Sequence, residues 1–535
     1  MKNINTIIFL FFLFTGSPEI KSQNYSWAKQ AGGAGADEAY NVAWDNSGNS
    51  YITGSFSGTA TFQSTTLTSA GGSDMFIAKY DASGNLSWVL QAGDAANQQG
   101  HMVATDASGN VFVCGEFEGT ITFGTQTYTS SGMMDIFLVQ YNSSGTVQWS
   151  VKGGSTGADE ANSLKTDPTG NAYLIGNFES VLYFGAQNLI STGSKDIYVA
   201  KFSTFGGMTW LVRAGGIMED DGRGLAVDNS GNVCITGWFQ QVANFGALSL
   251  NAIGNMQEIF IARMTTGGIF SWAVKAGGVD NDGAYEADAD VAGNFYVTGS
   301  YKGYALFGTI ALNSNGGSDD VFVTMVDPAG IFYWAVTAGG AGSDKGYCIA
   351  HSTTGKIFVT GSYEGTASFG TTTLISNGDK DIFIAGMNLS GGYQWAWSAG
   401  GAGYDRGYGI DANAAGSVWM TGRMEQNVSF GTTLLTSAGM NDVFLARIET
   451  VVSVAENNFD NGITVFPNPF SGRIAVSGLQ FPATLKVYNV LGKEFFSENI
   501  SAFSIQLATD RWQNGIYLLR IISDENISVA KIVKQ

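Results

Sequence analysis

The chain has 535 residues, with 26 Lys and Arg against 45 Asp and Glu, a formal net charge of −19. A surplus of that sign repels nucleic acid and anionic lipid at long range, so neither is an expected partner, whereas cations and neutral polymers stay open. Gly reaches 73 residues and charged residues only 13%, about twice and about half their usual shares, yet 44% hydrophobic residues exclude a disordered polymer and point to a turn-rich β protein.

Residues 1 to 22 read as a secretory signal: Lys2 supplies the positive start, Ile7 to Phe14 is an apolar run, and Ser22 precedes a cleavage point before Gln23. That run is too short to span a bilayer, and no later stretch is long enough, so no transmembrane span is expected.

From Trp27 to Ile448 one unit of 61 or 62 residues recurs seven times, marked by Trp27, Trp88, Trp149, Trp210, Trp272, Trp334 and Trp395. A fixed period of this size signals a repeat architecture whose units bury apolar surface against their neighbours. In the second unit, His101 to Asp106 reads as a strand, Asp106-Ala-Ser-Gly-Asn110 as a turn, and Val111 to Phe117 as a second strand. Asp135 to Tyr141 is a third, Asn142-Ser-Ser-Gly145 a turn, and Val147 to Lys152 a fourth. Asp or Asn opens such a turn by bonding its own backbone two residues on, and Gly takes the positive φ that follows. Four strands joined by tight turns make one propeller blade.

The third strands are apolar at consecutive positions, as in Ile136-Phe-Leu-Val and Val321-Phe-Val-Thr, so both sheet faces must be covered. Between second and third strands lies an extra segment, such as Gly58 to Ser73, marked by Phe62, Phe123, Phe184, Phe245, Phe307, Phe369 and Phe430; it is expected to end in a surface hairpin loop. The repeat region opens on a fourth-type strand at Trp27 and ends on a third-type strand at Asp442 to Ile448. The expected fold is therefore all-β: a seven-bladed β-propeller over 23–448, closed by the N-terminal strand, which removes exposed sheet edges. With their Asp-x-x-Gly-Asn turns and strands such as Tyr51-Ile-Thr-Gly-Ser-Phe56, the units resemble the bacterial β-propeller repeat family called SBBP, which implies this fold and an extracytoplasmic setting but no common activity.

Residues 449 to 462 read as a polar linker, and 463 to 535, with alternating short strands and Gly and Pro turns, as a small β-sandwich. Val465-Phe-Pro-Asn-Pro469, Val487-Tyr-Asn-Val-Leu-Gly492, Gly515-Ile-Tyr-Leu-Leu-Arg520 and Lys531-Ile-Val-Lys-Gln535 resemble the type A C-terminal sorting domain of the type IX secretion system. The resemblance implies that Pro467, Asn468, Pro469, Gly492, Gly515, Tyr517, Lys531 and Lys534 carry the sorting signal and that the type IX machinery is a partner. It also implies a secreted or outer-surface location in a Gram-negative bacterium, reached through the periplasm.

Two acidic series run through the repeat. Asp74, Asp135, Asp196, Glu258, Asp320, Asp381 and Asp442 open the third strands; Asp37, Asp159, Asp220, Asp282, Asp344 and Asp405 precede the first strands, with Gln98 breaking the series. Up-and-down strand order puts both on one face of the disc, where they could hold cations or a polyhydroxylated polymer, or could each cap backbone N–H groups of their own loops. Asp280, Asp282 and Glu286 faintly resemble a calcium loop without its full ligand spacing, which leaves calcium as the one cofactor candidate. Gly153-Gly-Ser-Thr-Gly157 fits the nucleophile-elbow pattern but lacks its strand-turn-helix context. Cys114, Cys234 and Cys348 share no register and are expected to be buried free thiols, and His101 and His351 occupy non-equivalent positions.

These features favour a secreted or surface-displayed propeller that binds extracellular glycan or matrix as an adhesion or scaffold module. A polysaccharide hydrolase or lyase using paired carboxylates, and a purely structural surface-layer component, are the alternatives.

Overall fold

In the computed structural model the described residues are 25–414, 416–449 and most of 464–534; the expected signal segment, Asn468, Pro469, Gly492 and nearly all of the expected linker lie outside them. Glu449, expected in the linker, instead ends the strand Asp442–Glu449. The chain divides into two compact units, Met1–Thr450 and Val451–Gln535. Among the described residues every regular element is a β-strand, the architecture is propeller-like, and no helix is long and apolar enough to cross a membrane.

In the second unit the strands run Gln98–Thr105, Val111–Phe117, Asp135–Tyr141 and Val147–Gly154, paired antiparallel in that order. The first strand thus begins three residues before the expected His101. A bulge after Gly100 breaks its alternation, which is why the sequence pattern starts late. The turns form as expected: in the first unit the Asp45 carboxylate accepts from the Ser47 and Asn49 N–H groups at 2.9 Å, and Gly48 sits at φ +82°.

The third strand Asp135–Tyr141 is buried along its whole length, and alternation sends successive side chains to opposite neighbours. Ile136 and Leu138 pack with Leu164, Leu174 and Tyr198 of the next unit, while Phe137 and Val139 pack with Tyr51, Met75 and Ile77 of the previous one. The extra segment is more than a surface loop. Its two short strands, such as Val242–Phe245 and Leu248–Asn251, form a hairpin whose first strand pairs with the preceding unit's outer strand, Ala214 facing Phe245. Phe245 is buried on Phe260 of its own third strand, ring centroids 4.9 Å apart, so the hairpin is anchored in one unit and paired with another.

The tryptophans also join units. Trp149, Trp210, Trp272 and Trp334 each donate the indole N–H to a carbonyl in the following unit's turn at 2.9–3.0 Å. Tyr25–Gly33 pairs antiparallel with Asp442–Glu449, Ala28 facing Ala446. Inner strands lie side by side from unit to unit, and Asp37–Trp44 lies beside both Gln98–Thr105 and Arg406–Ala412.

The second compact unit holds a three-stranded sheet, Thr464–Phe466, Arg473–Ser477 and Ser504–Ala508, and a four-stranded one built on Ala483–Asn489 and Gly515–Ser523. Ile474 and Val476 of the first share a core with Leu485, Val487 and Leu519 of the second.

Candidate functional site at the inner strands

Neither acidic series lines an open face. Asp37, Asp74, Asp135, Asp159, Asp196, Asp220, Glu258, Asp282, Asp320, Asp344, Asp381, Asp405 and Asp442 are all at most 1% exposed, which corrects the expectation of a carboxylate-lined surface. Each carboxylate accepts from at least one backbone N–H group, while one oxygen of Asp74, Asp135, Asp159, Asp196, Asp320 and Asp381 is buried without a partner among the described residues. Third-strand members cap the returning hairpin, as in Ser131 to Asp135 and Thr192 to Asp196 at 2.8 Å. First-strand members cap the preceding glycine loop and the following hairpin: Asp282 accepts from Gly278 at 2.7 Å and Lys302 at 2.9 Å. Gln98 fills the same role, its Oε1 accepting from Asp94 N–H at 3.1 Å.

The two series do meet at one end of the strands, in pairs across a glycine. A methyl group on Gly215 would lie 2.8 Å from Asp196 and 2.9 Å from Asp220, so no side chain fits between the carboxylates. Burial, with the partner carboxylate adding to it, pushes Asp159, Asp220, Asp282 and Asp405 up to about 7. Lys152, Arg213 and Lys275 pair with the third-strand carboxylates in three units, contacting Asp135, Asp196 and Glu258 at 2.6, 2.6 and 2.9 Å.

The expected calcium trio does not converge. Asp282 is committed to its two amides, whereas Glu286 turns to Ser163 Oγ at 3.2 Å and Leu225 N–H at 3.2 Å. Among the described residues no three His, Cys, Asp or Glu side chains are grouped to hold a metal ion. Ser155 of the elbow-like loop is nearly buried and gives its N–H to Asp159 at 2.7 Å, and all three cysteines are buried and free.

The units differ most where their inner strands come together. At the bulged register stand Tyr40, His101, Asn162, Arg223, Tyr285, Tyr347 and Tyr408, all half-buried. Five of them form a continuous aromatic collar: His101 to Tyr40 5.4 Å, Tyr40 to Tyr408 5.7 Å, Tyr408 to Tyr347 5.6 Å and Tyr347 to Tyr285 5.7 Å. Tyr40 and Tyr285 are pinned by hydroxyl contacts to Ser55 at 3.3 Å and Ser300 at 3.0 Å. Two residues earlier stand Glu38, Gln99, Glu160, Asp221, Gly283, Lys345 and Arg406, so charge changes sign around the collar. The acidic members are paired: Glu38 with Arg423 at 2.8 Å, Glu160 with Lys195 at 2.9 Å, Asp221 with Arg223 at 2.7 Å.

Three positions past the collar, four units carry alanine and three carry Lys165, Asp288 and Asp411. Asp288 accepts from the backbone N–H of His351 in the next unit at 2.7 Å and Asp411 from that of Trp44 in the first at 3.1 Å, tying inner strands together. Burial raises Asp411 to about 7 even though Lys165 pulls it down. Sequence reading missed the collar because it took His101 only as the start of one strand and did not compare that position across the units. Aligning the units by their Asp-x-x-Gly turns and scanning for non-repeating columns would have found it.

In the tail, Tyr517 is buried and its hydroxyl donates to the Gln513 carbonyl at 2.9 Å; Lys534 is buried with its ammonium on the Thr509 carbonyl. Pro467 follows the strand Thr464–Phe466, while Gly515 opens and Lys531 lies within strands of the four-stranded sheet.

Comparison with curated sequences gives short matches. A stretch of 144 residues is 29% identical to an uncharacterized WD repeat-containing protein L264 of Acanthamoeba polyphaga mimivirus, covering 24% of this chain and 10% of that one. Another of 140 residues is 30% identical to the regulatory protein FlaEY of Caulobacter vibrioides, covering 25% and 15%. The matched stretches therefore span only a small part of these relatives. Among solved structures, YCF48 bound to D1 peptide aligns over 80% of this chain and 96% of its own, at 9% identity and a TM-score of 0.37. Residues 26–55 match the beta-propeller repeat SBBP and residues 464–535 match the secretion system C-terminal sorting domain, so the chain joins a propeller repeat to an export tail.

Proposed function

We propose that this is an exported seven-bladed propeller, closed by Tyr25–Gly33, that binds extracellular glycan or matrix through the inner-strand collar. Closure is supported by the pairing of Tyr25–Gly33 with Asp442–Glu449 and by the side-by-side inner strands. Export through the type IX machinery to the surface or medium is supported by the matched tail.

The observation that carries the binding role is the break in symmetry. Seven similar units share caps, turns and apolar faces, yet at the inner strands they present different aromatic and charged groups in one place. Residues that serve only the repeat would repeat. Half-buried tyrosines with fixed hydroxyls offer flat apolar faces beside hydrogen-bonding groups, which suits the C–H faces and hydroxyls of sugar rings.

The test is retention of the full chain on an array of polysaccharides and matrix proteins, beside Tyr347→Ala and Tyr408→Ala. Retention that both substitutions abolish supports the collar. Cleavage products would move the assignment to a hydrolase or lyase, and a blank array to a structural surface component.

A further inference from the structure

Basic residues are scarce in this chain, yet Lys345, Lys380, Arg406 and Arg423 gather at one side of the collar. Lys380 is tied to this corner by its backbone, which bridges Tyr404 and accepts from Asp405 N–H at 2.8 Å. Arg423 is paired with Glu38, and Lys345 with Asp319 at 3.2 Å; Lys380 reaches Glu364 only at 3.9 Å. Arg406 differs. Among the described residues it has no carboxylate within 4.0 Å. Its guanidinium lies 4.4 Å from the Tyr404 ring, 5.7 Å from Tyr347 and 5.9 Å from Tyr408, and bonds the Tyr404 and Tyr408 hydroxyls. The Nε–H groups of Arg406 and Arg423 are buried without an acceptor.

We propose that Arg406, flanked by Lys380 and Lys345, is an anion-binding subsite of the collar, and that its ligand is an acidic polysaccharide bearing carboxylate or sulfate groups. This rests on the collar being the binding site and specifies what it selects. A guanidinium in a partly dry aromatic nest that meets tyrosine hydroxyls but, among the described residues, no carboxylate keeps its full charge uncompensated, the arrangement that receives a planar carboxylate or a sulfate. Packing does not require this gathering of cations. Burial, and then the Arg406 and Lys345 charges, hold the Lys380 ammonium below its ordinary pKa despite Glu364. The overall charge of −19 does not prevent local binding, because screening cuts off distant charges within about 8 Å at physiological ionic strength. It does disfavour a densely charged nucleic acid, whereas a polymer with isolated anions between sugar faces matches one basic pole beside tyrosines.

The experiment is titration of the purified full chain with polygalacturonate, dextran sulfate and neutral dextran, beside Arg406→Gln, Lys380→Gln and Tyr347→Ala. The expected result is binding of at least one acidic polymer with dextran much weaker, about tenfold loss in Arg406→Gln and a smaller loss in Lys380→Gln. Preference for polygalacturonate would identify carboxylate and preference for dextran sulfate would identify sulfate. If dextran binds as tightly as the acidic polymers and only Tyr347→Ala weakens it, the anion subsite is overturned and the collar stands. If acidic polymers bind but Tyr347→Ala and Arg406→Gln leave affinity unchanged, both are overturned. Should Arg406→Gln fail to fold, Lys380→Gln decides: unchanged affinity overturns the subsite.

Discussion

The indole N–H of Trp210 donates to the carbonyl of Thr266 at 3.0 Å, fifty-six residues away in the next unit, and Gly268 of the same turn lies over the indole ring. At φ +78°, a methyl group on Gly268 would stand 2.9 Å from Trp210 Cδ2, so this glycine serves turn and interface together. Gly109 has nearly the same backbone, φ +79°, but nothing within 4 Å. Gly109→Ala is therefore expected to cost about 1 kcal/mol of backbone strain, and Gly268→Ala about 2 to 3 kcal/mol because the ring must shift as well. Thermal melts of the two variants would separate these effects; equal shifts would contradict the packing role.

Asp220 takes the Gly216 N–H at 2.6 Å and the Gln240 N–H at 3.3 Å. Asp220→Ala strands both donors and is expected to destabilise by about 2 to 4 kcal/mol, while Asp220→Asn keeps an acceptor and removes the repulsion from Asp196, costing about 1 kcal/mol or less at neutral pH. Denaturant unfolding of both variants checks the order. A milder alanine variant would mean the carboxylate is not a cap.

Asp159, Asp220, Asp282, Asp320 and Asp405 are raised to about 7, and Asp37, Asp344 and Asp381 to about 6, in every case chiefly by burial. An unfolded Asp titrates near about 3.9, so between these values the folded chain holds more protons than the unfolded one. Their contribution to stability is fully present below about 3.9 and is lost as pH rises through 6 to 7. The melting temperature should therefore be higher at pH 5 than at pH 8. A flat or inverted profile over that window would show that the carboxylates are not held as the geometry indicates.

Ala28 pairs with Ala446 across the junction of the first and last repeat strands. A proline there removes a ladder donor and cannot sit in an interior strand, so Ala28→Pro is expected to lower and broaden the melt. The same change at exposed Lys493, in the tail, should leave the propeller transition unmoved. An unchanged sharp melt for Ala28→Pro would count against closure.

Removal of residues 463 to 535 is expected to leave the protein in the periplasm, read by fractionation of cells expressing the tagged chain. Normal appearance outside the cell would sink the export role of the tail.

The repeat, its turns and its buried third strands were legible in the linear chain because their causes are local: Asp45 bonds its own loop, Gly48 takes a positive φ, and Ile136 to Val139 are apolar at consecutive positions. What a side chain faces across a unit boundary was not legible. Asp220 looks like a surface acid until Gly215 brings it against Asp196, and the hairpin at Phe245 looks like a loop until it pairs with Ala214. The inner strand was legible from His101 onward, but the meeting of Tyr40 with Tyr408 across the chain ends was not. Local chemistry repeats with the sequence and can be read from one unit; the collar, with Arg406 among its tyrosines, exists only because packing brings residues from different units to one point.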